Sequence, residues 1–356
     1  MPQTVVLVGT RKGCFVLESD ENRRDWKLRG PYCEGWPVYH AVLDSSSGNI
    51  YAAAASEWHG SAVWRSKDLG ETWTLSSEGL SYENGDLKLS KISGLTPAHG
   101  RLLAGVENAG IFQSTDQGET WSLLTTLDGQ PGRDKWNDPA NQPPGHLGLP
   151  AILPDRENAA RFWAVVQGIG IFETTDDGKT FTPRNKGLRA DWPLEDPEVG
   201  YCVHKLVMSP DPDRLYQQNH VGVHRSDDAG KSWTEITEGL PSEFGFAAAA
   251  HPHDRDTFYV FPVDPGHGRC TPGEAAVFRT RDAGSTWDRL TKGLPQKDAF
   301  LGVLREGMSI DSYDTPGVYF GTSTGQVFAS ADEGESWSEI ANYLPSITSV
   351  EVAVVG

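Results

Sequence analysis

Carboxylates, imidazoles and amides recur in one kind of place in this chain, where an apolar run meets a glycine. The segments are Ser56-Glu57-Trp58-His59-Gly60, Val106-Glu107-Asn108-Ala109-Gly110, Val166-Gln167-Gly168 and Gln218-Asn219-His220-Val221-Gly222. Two carboxylates such as Glu57 and Glu107 suit acid and base or nucleophile roles on a glycoside. Histidines beside Glu or Gln suit a divalent metal. Glu57, Glu107, His204 and His220 are therefore the candidate catalytic residues. His40, His59, His146, Gln167, Asn219 and Arg305 are the candidate binding residues, with Glu306 among their polar neighbours. No compact metal motif such as HExxH is present, so a metal held by these histidines is an open option without a spacing to support it. Trp58, Trp136 and Trp192 are candidate anchors for a docked protein. A third reading stays open, in which the same polar groups only solvate a water-filled channel.

Side chains so far apart in sequence need a repeating frame to bring them together, and one is visible. Ser66-x-Asp68-x-Gly70-x-Thr72-Trp73 returns at 114–121, 174–181, 226–233, 280–287 and 330–337. A decayed copy without the glycine lies at 19–26. From Asp68 onward the aspartates are 48, 60, 52, 54 and 50 residues apart, by subtraction. That is the length of a four-stranded propeller blade. The Asp accepts local N–H groups, the Gly takes a backbone conformation that a Cβ opposes, and the Trp starts the last strand. We call this unit the Asp turn. Its Ser, Asp and Thr read as a hairpin clamp, not as catalytic groups.

The strand pattern predicts an all-β fold, a seven-bladed β-propeller, as a single domain over 1–356. Segments 38–44, 49–56, 62–68 and 72–76 read as one blade, 91–97 to 120–124 as the next and 203–210 to 232–236 as another. The N-terminus supplies three strands and the C-terminus one, SVEVAVV. Pairing that strand with the N-terminal blade closes the ring and removes its exposed edges. Alternating strand direction puts the Asp turns at one end. The long connections 129–145, 189–200 and 264–274 fall at the other, the end expected to bind. His40, His59, His146, His204, His220 and His267 map to that second end.

Composition narrows the partners. Net charge is −18, which disfavours nucleic acid and anionic membranes. No apolar run approaches a membrane span and no secretory signal is visible, so a cytoplasmic location is expected. The four cysteines, Cys14, Cys33, Cys202 and Cys270, read as reduced thiols. A Cys202–Cys270 bridge is an alternative, because the repeat register places the two in neighbouring blades.

The Asp turns resemble the Asp-box, or BNR, repeat shared by sialidases, xyloglucan-degrading glycosidases, sortilin-type receptors and photosystem II assembly factors. The opening LVGTRKGCFVL and the segment VYHAV are similar to those of stand-alone bacterial BNR-repeat proteins labelled glycosyl hydrolase. The resemblance implies structural Asp turns and a functional face opposite them. It implies a glycoside hydrolase or lyase acting on a carbohydrate or other polar small molecule, or else a non-catalytic scaffold for a protein partner. Seven blades and the lack of a Phe-Arg-Ile-Pro segment disfavour a classical sialidase.

Overall fold

The computed structural model describes residues 2–56, 58, 60–82, 89–130, 132–136, 147–190 and 199–356. Short segments rich in Val, Ile, Phe, Tyr and Ala form seven four-stranded antiparallel sheets, the blades of a β-propeller. Blade 1 contains β1 (Gln3–Thr10), β2 (Gly13–Asp20) and β3 (Lys27–Tyr32). Blade 2 is β4 (Val38–Asp44), β5 (Asn49–Ser56), β6 (Gly60–Ser66) and β7 (Thr74–Ser76). Blade 3 is β8 (Ile92–Ala98), β9 (Arg101–Val106), β10 (Gly110–Ser114) and β11 (Ser122–Thr125). Blade 4 is β12 (Ala151–Pro154), β13 (Phe162–Val166), β14 (Gly170–Thr174) and β15 (Thr182–Pro183). Blade 5 is β16 (Val203–Met208), β17 (Leu215–Asn219), β18 (Gly222–Ser226) and β19 (Thr234–Glu235). Blade 6 is β20 (Gly245–Ala250), β21 (Phe258–Pro262), β22 (Val277–Thr280) and β23 (Asp288–Leu290). Blade 7 is β24 (Met308–Ile310), β25 (Val318–Gly321), β26 (Val327–Ser330) and β27 (Ser338–Ala341). The last strand, β28 (Ile347–Val355), pairs antiparallel with β1 and completes blade 1 as expected.

The chain forms two compact units, Met1–Ala41 with His204–Gly356, and Val42–Val203. In the first unit, Val6, Val8, Phe15 and Leu17 of blade 1 pack on Tyr319, Val327 and Ala329 of blade 7. Phe261 of blade 6 meets Phe320 of blade 7 at 5.2 Å between ring centroids. In the second unit, Tyr51, Ala53 and Val63 of blade 2 pack on Leu102, Ala104 and Phe112 of blade 3. Each blade buries both faces, so its second and third strands read as nearly continuous apolar runs.

The Asp turns are closed by their own side chains. Asp68 accepts the Thr72 N–H at 2.8 Å and the Thr72 hydroxyl at 2.6 Å, while Ser66 Oγ accepts the Gly70 N–H at 2.8 Å. These bonds hold the exposed Asp68 and Asp176 carboxyls down to about 2. The turn demands more than its glycine. The residue before it is also left-handed, at φ 60° in Gln117, 58° in Ala283 and 57° in Glu333. That residue presents its carbonyl to an arginine of the preceding blade. Arg65 donates to Gln117 O at 2.9 Å, Arg225 to Ala283 O at 2.6 Å and Arg279 to Glu333 O at 2.8 Å. Each of these arginines stands immediately before its own turn's first Ser or Thr.

The decayed copy in blade 1 has a different use. Arg23 occupies the glycine place at φ 56°, and its carbonyl accepts the Trp26 indole N–H at 3.2 Å. Its guanidinium crosses to blade 7, donating to Asp311 at 3.0 Å and to the Thr315 carbonyl at 3.1 Å, and lies 4.6 Å over the Tyr313 ring. Asp311 is buried and also accepts the Tyr319 hydroxyl at 2.8 Å and the Gly317 N–H at 2.8 Å.

Removing Arg23 leaves a buried carboxylate without its cation. Arg23→Ala is expected to lower stability by about 3 kcal/mol, seen as an earlier denaturant midpoint. Deleting β28 should be more damaging, because it exposes the apolar edge of β1. A truncated chain that melts with the intact one would show that β28 does not close blade 1.

Candidate functional site

Strands β4, β16 and β28 and the segment before β24 bring four ionisable groups together within the first unit. They are His40 near the start of β4, Lys205 on β16, Glu306 just before β24 and Glu351 in β28. The Glu306 segment runs parallel to β28, with Val350 N–H donating to Glu306 O at 2.7 Å. Val350 and Val352 turn into the apolar core shared with blade 7. The two-residue period of a strand therefore sends Glu351 to the other face. His40 and Lys205 lie in the halves of their strands away from the Asp turns, Glu306 precedes its strand, and Glu351 is at the middle of β28.

Their electrostatics set the two carboxyls apart. Glu306 is 8% exposed, and burial alone would oppose its charge. Lys205 donates its ammonium to Glu306 Oε2, and His40 Nε2 lies 3.6 Å from the same oxygen. Lys205, then His40, outweigh burial and hold Glu306 below the usual carboxylate range. His40 is depressed by its own burial, with Glu306 opposing in part. Glu351 forms no ion pair among the described residues. Burial pushes it up to about 7, with Lys205 opposing and the Glu306 charge adding. The two carboxyls are thus pushed in opposite directions, Glu306 toward its ionised form and Glu351 toward its protonated one.

Beside this group stands an aromatic stack. His204 is 1% exposed and stacks on Phe246 at 4.5 Å, with its edge to Phe244 and His220 at 5.5 and 5.4 Å. Its Nδ1–H donates to the Gly245 carbonyl at 2.5 Å. Burial first, then the charge of Arg305, keep this imidazole neutral well below its usual range. Arg305 also meets this stack, its guanidinium carbon 5.3 Å from the Phe246 centroid. His204, His220 and Arg305 meet in this stack, with Glu306 next in sequence to Arg305.

The other expected residues fare differently. Asn219 is buried at the end of β17 and its Oδ1 accepts the Val221 N–H at 2.7 Å, so it shapes the turn that carries His220. Glu107 and Gln167 lie in the second unit, each half-buried in the turn after a second strand. Glu107 accepts the Ser90 hydroxyl. Glu57, His59, His146 and Trp192 lie outside the described residues. Trp136 is no surface anchor. It is 3% exposed and packs against Phe172 at 5.3 Å, because its turn folds back onto the core of blades 3 and 4. Trp58 is 89% exposed. All four cysteines are thiols, so the Cys202–Cys270 bridge does not form. Among the described residues, no three His, Cys, Asp or Glu side chains gather in a way that could hold a metal ion.

Sequence reasoning missed Lys205 and Glu351. Both are single charges inside apolar strands, VHKLVM and ITSVEVAVV. A lone charge in a buried strand is the signal that could have found them.

No family model matches the chain. Three curated relatives carry xyloglucanase in their names. One of them, from Hypocrea jecorina, is 26% identical over 257 residues, which is 65% of this chain and 29% of the relative. The chain spans about a quarter to a third of the length of these relatives. Among solved structures, a GH74 enzyme from Niastella koreensis superposes with a TM-score of 0.62 at 20% identity, over 95% of this chain and 52% of that one. The structure of YCF48 bound to D1 peptide gives 0.51 at 14% identity, over 85% and 83%. These likenesses show the propeller fold.

Glu351 keeps its proton to about 7, against 4.5 for an ordinary Glu. The folded state therefore binds that proton more tightly than the unfolded chain does. The resulting stability is whole below the unfolded value and is lost as pH rises through the folded one. The melting temperature is expected to fall between about pH 5 and 8, and Glu351→Gln should flatten that fall. A variant with the parent's pH profile would mean that Glu351 titrates normally.

Proposed function

We propose that the chain is a glycoside hydrolase-like propeller whose reacting pair is Glu351 and Glu306. What carries the proposal is the contrast between two carboxyls of one cluster, Glu306 ion-paired to Lys205 and Glu351 pushed by burial up to about 7. That split is how an enzyme assigns an acid and a charged partner from one residue type. Glu351 gives its proton to the glycosidic oxygen as the C–O bond breaks. Glu306, held by Lys205, is a weak proton acceptor, so its charge is better used facing the cation that develops at the anomeric carbon. Water completes the hydrolysis and restores the proton. The xyloglucanase names of the relatives and the resemblance to Asp-box repeat proteins support a carbohydrate substrate.

The test is release of reducing ends from a panel of oligosaccharides that includes xyloglucan. Glu351→Gln and Glu306→Gln should each lower kcat by about 100-fold or more. Activity should fall above about pH 7, where Glu351 ionises, and again in acid, where Glu306 takes up a proton. If no saccharide is cleaved, or if both variants keep parental rates, the hydrolase reading is wrong.

A second reading has its own observation, the exposed Trp58. An indole so open to water is a ready anchor for a protein or peptide, and one similar fold has been solved with a peptide bound. Loss of partner capture in Trp58→Ala, with both glutamate variants silent, would favour a scaffold.

A further inference from the structure

The chain leaves blades 2 to 7 through one left-handed residue, six places after the aromatic of the Asp turn. Blades 2, 4, 5 and 6 have a glycine there, Gly79, Gly187, Gly239 and Gly293, at φ between 80° and 95°. Any side chain at such a φ meets strain that glycine avoids. Blade 3 accepts the strain for packing: Leu127 stands at φ 57° and is 2% exposed within the core of blades 3 and 4. Blade 7 gains almost no packing, because Tyr343, at φ 59°, is 92% exposed. The tyrosine hydroxyl has no partner among the described residues. The backbone around it is fixed, however. Its N–H donates to Asn342 Oδ1 at 2.8 Å, and the Leu344 N–H donates to Gly325 O at 3.0 Å. A strained residue that displays its ring to solvent points to a use outside the fold.

Two positive charges stand beside it. From Tyr343 to Ser346 the chain covers at most about 10 Å, and the Ser346 carbonyl accepts the Arg11 N–H at 3.0 Å. Arg11 and Lys12 are the central residues of the turn between β1 and β2, where Thr10 pairs with Gly13. Thr10 Oγ1 fastens that turn, accepting the Lys12 N–H at 3.1 Å and donating to Gly13 O at 2.8 Å. Both side chains are exposed, and neither forms an ion pair among the described residues. In a chain of forty-nine Asp and Glu against thirty-one Lys and Arg, two adjacent unpaired cations are a local reversal of sign. The turn and the Tyr343 connection belong to the first unit and lie at the same end, away from the Asp turns.

We propose that Tyr343, Arg11 and Lys12 form a docking surface for an acidic protein partner. Shape selects a protein. A small-ligand site is concave and encloses most of its guest, whereas a ring 92% exposed stands clear of its surroundings. Only a partner that brings its own pocket can bury it. Tyrosine and arginine are the residue types that carry such interfaces. Charge selects the sign. The net charge of −18 repels the dense phosphates of nucleic acid or an anionic membrane. A few carboxylates set against Arg11 and Lys12 meet mainly those cations, because salt screens charges beyond ~8 Å. The interaction goes beyond the hydrolase reading and does not depend on it, since none of the three residues belongs to the reacting pair.

The experiment is selection from a random peptide library displayed on phage against the immobilised full chain, followed by calorimetry on the peptides obtained. The selected peptides should be rich in Asp and Glu, carry an apolar residue for the Tyr343 ring, and bind less tightly as salt is raised. Tyr343→Gly should weaken them by ~10-fold or more, and so should Arg11→Ser combined with Lys12→Ser. Tyr343→Gly gives blade 7 the residue that blades 2, 4, 5 and 6 already use, so it should melt no earlier than the parent while binding less. A Tyr343→Gly chain that melts earlier and binds as before would make the tyrosine structural and overturn the proposal. Peptides with no excess of Asp and Glu, or none whose binding depends on these three residues, would overturn it too. A single-stranded oligonucleotide or a phosphatidylserine vesicle bound as tightly as the peptides would show a general anion patch and sink the protein partner.

Discussion

A carbonyl forced outward by a left-handed residue is what one blade offers the next. The Asp turn needs two consecutive residues with positive φ, and the first of them is usually not glycine. Its strain is tolerated because the aspartate side chain and the Ser or Thr hydroxyls over-determine the turn. The exposed carbonyl then accepts an arginine from the neighbouring blade, as Gln117 does from Arg65 and Glu333 from Arg279. A four-stranded sheet with two apolar faces has no stable existence alone, so each blade must be keyed to another. The arginine supplies the key at the turn end, and the apolar faces supply most of the free energy. The latch is made by blades 2, 5 and 6, and blade 1 makes a different contact. Its decayed turn has lost the glycine, and Arg23 reaches blade 7 instead.

The fold was legible because its signals are local and repeated. Six intact Asp turns and one decayed copy matched the blade count, and VYHAVLD and NIYAAAAS are β4 and β5 in full. The pairing of β28 with β1 followed from counting strands. The arginine latch was equally present in the text, as an Arg just before the turn in blades 2, 5 and 6, but its meaning depends on a partner about fifty residues away. No local rule connects them. Trp136 shows the same limit from the other side. An aromatic in a long connection looks like an anchor until the chain's path shows it folded onto Phe172.

The site was only half legible, for a different reason. His204, His220 and Arg305 were found because polar residues at the ends of strands stand out. Lys205 and Glu351 were not, because each is one charge inside an apolar strand, where pattern reading averages it away. Glu351 is the more instructive case. It lies in the strand that closes blade 1, so it was read as architecture. Closure and the proposed acid share the same nine residues, with Val350 and Val352 turned to the core and Glu351 on the opposite face.

Lys205 is what makes two glutamates unlike, and its position depends on the register of a single strand. Along β16 the buried residues His204, Leu206 and Met208 alternate with the less buried Lys205 and Val207. One residue of that strand gives the aromatic stack its neutral imidazole, and the next gives Glu306 its cation. A slip by one residue would bury the ammonium among Phe244 and Phe246 and leave Glu306 with His40 alone. The ammonium could not be kept charged there, and Glu306 would lose most of what opposes its burial. The apolar alternation of β16 thus does electrostatic work. It sends the cation to Glu306 rather than to Glu351, and so decides which carboxyl stays ionised and which keeps its proton.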